Sequence, residues 1–173
     1  MTLDQFWQVI DRINAPAAKP RFSQPFSKPP ANGGMDEKLG KLEAELAKLP
    51  TAEKQSFADH FDECDARAYS WELWGAAYVI HGGCSDDSFM DFRSTLICMG
   101  RAIFEAALAD PESLANLEID EDDLFYEGFG YTAHGNYDQI SRNVPFPEKP
   151  RGQEWDEEQV GDVYPQLAKK FGW

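Results

Sequence analysis

No apolar run in this chain approaches the ~18 residues that a transmembrane helix requires, so no membrane-spanning helix is expected. The first residues lack a basic stretch followed by an apolar core, and no secretory signal is expected. Cysteine is scarce and odd in number, at three, which argues against a disulfide framework and fits a reducing, cytoplasmic setting. Basic residues are few: 16 Lys and Arg against 31 Asp and Glu leave a net charge of −15. Phosphate recognition depends on Lys and Arg, so direct binding of nucleic acid or an anionic membrane is not expected. There is no glycine-rich phosphate loop, no G-x-S-x-G elbow and no H-E-x-x-H pair. No cofactor is implied. The alternation that marks strands is also missing over any useful length, which leaves an all-α reading.

What the chain does have is apolar mass. Hydrophobic residues at 42% and aromatics at 13% of 173 residues suffice for a substantial core, most simply in one helical domain spanning 1–173. The densest stretch is Trp71 to Arg93. Trp71, Trp74 and Tyr78 recur at helical spacing beside Leu73, Ala77 and Ile80. Gly82 and Gly83 suit a left-handed helix end. Ser85 is placed to cap the next helix, with Asp86 and Asp87 in its first turn, where the helix dipole favours negative charge. Phe89, Phe92, Leu96, Met99 and Ile103 predict one long helix after that turn.

Elsewhere, Thr2 with Gln5 reads as a capping box for a helix carrying Phe6, Val9, Ile10 and Ile13. Residues 15–35 hold five prolines and Asn32-Gly33-Gly34, and predict a loop insertion. Leu39, Leu42, Leu46 and Leu49 predict a helix, and Phe57, Phe61, Cys64 and Ala68 another. Asp110-Pro111 predicts a capped short helix, and the acidic run Glu118 to Asp123 leads toward one more. Residues 139–155, with Pro145, Pro147 and Pro150, predict an extended segment before a C-terminal helix capped by Asp156, in which Pro165 forces a kink or a late start.

W-x-x-W-G-A-A-Y (Trp71 to Tyr78), then G-G-C-S-D-D-x-F (Gly82 to Phe89) and the Phe92-Arg93 pair, resembles an uncharacterised bacterial family of unknown function. F-W-x-x-I-D-R (Phe6 to Arg12), F-x-x-x-F-D-E (Phe57 to Glu63), A-Y-S-W (Ala68 to Trp71) and A-L-A-D-P-E-S-L (Ala107 to Leu114) fit the same resemblance. It implies a small, mostly helical cytosolic domain and brings no activity with it. The proline-rich insert and the tail after about Tyr131 look peculiar to this chain.

Three constellations could carry chemistry. His60 with Cys64, and His81 with Cys84, supply the donor types of a tetrahedral zinc site, if two helix ends meet. Cys84 precedes a helix N-terminus, which favours a thiolate, although Asp86 and Asp87 oppose one. Asp62 or Glu63 with Asp87 and Asp91 could converge on a divalent cation. Against each stands the plainer reading of buried thiols, capped turns and solvated acidic faces, with Arg67 and Arg93 as ion-pair partners.

Two functional classes remain open, with a third behind them. One is a protein-binding or regulatory module, including an immunity-type inhibitor, whose partner presents a basic surface. Another is an enzyme or metal-binding protein with its site at the Gly82 to Asp91 turn. The third is an inhibitor that mimics nucleic acid. In each case the expected surface is Trp71, Trp74, Tyr78, His81, Cys84, Ser85, Asp86, Asp87, Asp91 and Arg93.

Overall fold

The computed structural model describes residues 1–15, 34–118, 121–135 and 140–173. Among the described residues there are ten α-helices, one 3-10 turn and no strand, an all-α architecture. Helix α1 (Leu3–Asn14) opens with the expected capping box. Thr2 Oγ1 accepts from the Gln5 amide at 3.3 Å, and Gln5 Oε1 accepts from the Thr2 amide at 2.7 Å. The proline-rich stretch that follows lies outside the described residues except at its ends. Helix α2 (Met35–Ala47) buries Leu42 and Leu46, and leaves Leu39 and Leu49 half-buried at its margin. Helix α3 (Thr51–Ala68) buries Phe57, Phe61, Cys64 and Ala68 along one face.

Helix α4 (Trp71–His81) starts where Ser70 Oγ accepts from the Leu73 amide, and stops at Gly82, whose φ of 66° is left-handed. Helix α5 (Asp86–Cys98) is capped by Ser85, which accepts from the Ser88 amide at 3.2 Å. The single long helix expected through Ile103 is in fact two. Gly100 adopts φ 108°, which a side-chain-bearing residue rarely takes, and α6 (Arg101–Ala109) restarts beyond it. The Asn14 side chain donates to the Cys98 carbonyl at 2.8 Å, satisfying one of the acceptors that the end of α5 leaves open.

Asp110 caps as expected, but the element after it is the 3-10 turn Pro111–Asn116. The acidic run leads into two short helices, α7 (Glu121–Leu124) and α8 (Phe129–His134). Near the C-terminus, Asp156 does not cap a helix as expected: it accepts from the Glu158 amide in a turn, and α9 (Val160–Val163) starts only after Gln159 and lasts barely one turn. Proline lacks an N–H and bars the preceding residue from helical backbone, so Tyr164 takes φ −123°, ψ 63°, and α10 starts afresh as Pro165–Phe171.

One connected apolar cluster runs from Phe6 to Leu167. Helix α5 lies at its centre, packed against α3, α4, α6, α7 and α8, with Phe89, Phe92, Leu96 and Ile97 fully enclosed. Residues 140–151 form a helix-free strap that follows α3 in the same direction. Ser141 exchanges two hydrogen bonds with the Gln55 side chain, and Asn143 donates to Asp59 at 3.1 Å. Phe146 rests on Tyr69, and the Arg151 amide donates to the Tyr69 carbonyl at 3.0 Å. Beyond the strap, Trp155 presses on α4 at Gly75, where a Cβ would lie 2.9 Å from the indole, and the Tyr164 hydroxyl donates to the Glu72 carbonyl.

Candidate functional site

Three helices meet beside the strap and each offers the same spacing to one cleft. Helix α3 supplies Phe61, Asp62 and Asp65; α5 supplies Met90, Asp91 and Ser94; α8 supplies Gly130, Tyr131 and His134. Residues i and i+4 lie one above the other on a helix and i+1 flanks them, so nine positions from three helices border one cleft. Gly135 and Arg142 complete the rim of a cavity of about 160 Å3.

His134 is held from both sides. Its Nδ1 faces the Gly130 carbonyl at 2.8 Å and its Nε2 faces Asp62 Oδ1 at 2.8 Å. A neutral imidazole carries one N–H, yet both partners are acceptors, so the geometry selects the doubly protonated ring. The hydrogen bond to the Asp62 carboxylate raises the His134 pKa, burial opposes it, and the Gly130 carbonyl adds to the rise. Arg142, on the strap, stands 4.0 Å from the same Asp62 oxygen.

Ser94, His134 and Asp62 are the residue types of a hydrolytic triad, and all three line this cleft. The arrangement is not one. A general base needs an imidazole nitrogen free to take the serine proton, and both nitrogens of His134 are already engaged.

Besides the exposed Tyr131 hydroxyl at the mouth, two polar groups in the cleft have no partner among the described residues. Ser94 is only 3% exposed and its hydroxyl makes no hydrogen bond. Asp91, half-buried, has neither counter-ion nor donor. Burial, then the negative charges of Glu127 and Asp87, push its carboxyl up to about 6. Gly130 allows α8 to come this close, since a Cβ there would lie 2.9 Å from Ser94 Oγ.

Below the cleft, Arg93 is 4% exposed and bonds Asp65 through Nε at 2.7 Å. Its guanidinium carbon sits 4.6 Å from the Phe89 ring centre, 4.9 Å from Tyr69 and 5.5 Å from Phe146. The charge is enclosed but paired and faced by aromatic rings.

The surface expected from sequence divides between three places. Trp71 and Trp74 stack at 5.3 Å, Trp74 stacks on Phe89 at 4.9 Å, and Tyr78 meets Trp155 and Trp173. These aromatics form the outer side of α4, half-covered by the C-terminal segment, while Leu73, Ala76, Ala77, Val79 and Ile80 face the core. The turn is self-contained. Trp74 Nε1 donates to the Cys84 carbonyl at 3.0 Å, and His81 stacks on Phe125 with its Nδ1 3.1 Å from the Gly83 carbonyl. Ser85 is occupied as a cap, and Asp86 and Asp87 are exposed. Only Asp91, with Arg93 behind it through Asp65, belongs to the cleft.

The four zinc-type donors go separate ways. His60 bonds Glu63 and the Met1 carbonyl, and Cys64 is enclosed in the core, where burial raises its thiol to about 12. Cys84 is likewise raised to about 12, chiefly by burial, so it is protonated at neutral pH and no activated nucleophile. Among the described residues, no group of three or more His, Cys, Asp or Glu is arranged to hold a metal ion. Among them, too, no helix is long and apolar enough to cross a membrane. Sequence reasoning did not reach Ser94, Gly130, Tyr131, His134 or Arg142. The available signal was His134 itself, one of three histidines, at the end of an apolar turn between Gly130 and Gly135.

Residues 1–139 match the family described as a protein of unknown function (DUF4240), and the chain belongs to that family. The match ends just before the strap. No curated protein and no solved structure matches the chain.

Proposed function

We propose that this family member is a protein-binding module of regulatory or inhibitor type, with its contact site at the α3–α5–α8 cleft rather than at the Gly82 to Asp91 turn. The observation that carries the reading is the pair of unpartnered polar groups, Asp91 and Ser94, held inside a preformed cleft next to a locked His134–Asp62 pair. Polar groups inside a fold normally find partners within it, and these two instead face the cleft, open to a donor that enters. The net charge of −15 supports a partner with a basic surface. An enzymatic reading is less well supported, because the cleft imidazole has no free nitrogen and the Cys64 and Cys84 thiols are protonated. Mimicry of nucleic acid would need a row of free carboxylates. On α3 four of the five are taken: Asp59 by Gln55 and Asn143, Asp62 by His134, Glu63 by His60 and Asp65 by Arg93, leaving Glu53 in the first turn.

The test is affinity capture from the native host with wild type, Asp91→Asn, Tyr131→Ala, and the turn variants Asp87→Ala and Cys84→Ser. A partner retained by wild type and both turn variants, and lost by the two cleft variants, is the expected result. A partner that the cleft variants keep and the turn variants lose would return the site to the turn.

A further inference from the structure

Resting on that reading, we infer that the cleft receives a primary ammonium group, the side chain of a lysine presented by the partner. Four observations converge on this chemistry. Ser94 Oγ and the Asp91 carboxylate are free acceptors on one face of α5, and an ammonium offers three donors and no acceptor. The charges that surround Asp91, from Glu127 and Asp87, are negative, so a cation relieves repulsion there and an anion adds to it. On the opposite wall the His134–Asp62 pair is already neutralised, and Arg142 lies outward, its side chain 75% exposed.

Size and lining point the same way. A cavity of about 150 Å3 takes one benzene molecule, and this one, at about 160 Å3, suits a lysine's four-carbon stem and ammonium. Arginine would bring a longer side chain and a bulkier planar head into the same volume. The stem would run along Phe61, Met90 and Tyr131, the last of these 64% exposed at the mouth. Long cationic side chains commonly lay their methylenes on such apolar walls.

The experiment uses the whole chain, labelled for NMR and titrated at neutral pH with n-butylammonium, n-butanol and butyrate. Butylammonium is expected to shift the amides of Asp91, Ser94 and Tyr131 saturably, with n-butanol much weaker and butyrate inert. Asp91→Asn should weaken butylammonium about tenfold or more, the scale of a lost charge-assisted hydrogen bond. Ser94→Ala should weaken it less, and Asp87→Asn, outside the cleft, least of all. Butyrate or butanol binding as well as the amine, or an Asp91→Asn protein that binds butylammonium like wild type, would overturn the inference. If butylammonium fails while a captured partner still depends on Asp91 and Tyr131, the ligand class falls and the cleft stands as the contact site. If no partner depends on the cleft but butylammonium still binds there, the reverse holds.

Discussion

Removing Asp65 strands Arg93, and the cost can be worked from the surroundings. The two side chains are 5% and 16% exposed and meet at 2.7 Å, so neither is screened as a surface pair would be. Breaking a buried pair from one side typically costs about 3–5 kcal/mol, because the remaining charge keeps its desolvation penalty and loses its partner. The rings of Phe89, Tyr69 and Phe146 retain some attraction for the guanidinium, which places Asp65→Ala near the lower figure. For a domain of this size, ~1 kcal/mol moves the melting temperature by about 2–4 °C, so Asp65→Ala should melt about 6–12 °C below wild type by calorimetry at pH 7. Replacing both partners, Arg93→Met with Asp65→Leu, removes the charges together and should recover most of that loss. With Asp65 intact, Arg93→Lys should still melt below wild type, since an ammonium neither stacks on three rings nor offers Nε and Nη2 to one carboxylate. An Asp65→Ala protein melting within about 2 °C of wild type would show that the rings alone hold Arg93.

Other expectations follow from the same cleft. His134 has its folded pKa raised above the ordinary 6.5, so its stabilisation is complete below that value and is lost as pH rises through the folded pKa. The melting difference between wild type and His134→Gln should therefore be largest in mild acid and shrink in alkali; a constant difference across that range would refute the protonated ring. Asp91 has the opposite consequence. Its carboxyl is raised from 3.8 to about 6, so its ionisation weakens the fold progressively between those values and fully above them. Asp91→Asn should melt above wild type at neutral pH and level with it in strong acid, and a lower melting temperature at neutral pH would sink the account. Cys64 and Cys84, with thiols pushed to about 12, should alkylate slowly at mildly alkaline pH in the native protein and quickly in urea. Native labelling of Cys84 at the rate of a free thiol would contradict this.

Local chemistry wrote most of the helix boundaries into the sequence. Thr2, Ser70, Ser85 and Asp110 each cap within three residues, so a short window contains the whole cause. The break at Gly100 was the exception, since an apolar stripe continues through Ile103 and only the backbone angle ends α5. The candidate site was much less legible. The sequence offers Asp62 and Asp91 as possible cation ligands, and both line the cleft, but their expected companions do not: Glu63 turns to His60 and Asp87 is exposed. What completes the cleft is His134, 72 residues from Asp62, on a six-residue helix. No periodicity links positions that far apart. The space at Gly130 is legible only once Ser94 stands opposite it.

The strap imposes an order of events on synthesis. Gln55 must wait 86 residues for Ser141. At about 5–20 residues per second on a ribosome, that is about 4–17 s in which α3 has emerged without its companion. Through that interval Tyr69 and Arg93 have no Phe146 above them, and the carbonyl of Tyr69 still lacks the Arg151 amide. Everything that folds in the meantime does so against water or a chaperone along that line. Translation itself thus lets α1 to α8 take shape before the strap arrives, with Trp155, α9 and α10 following it onto α4.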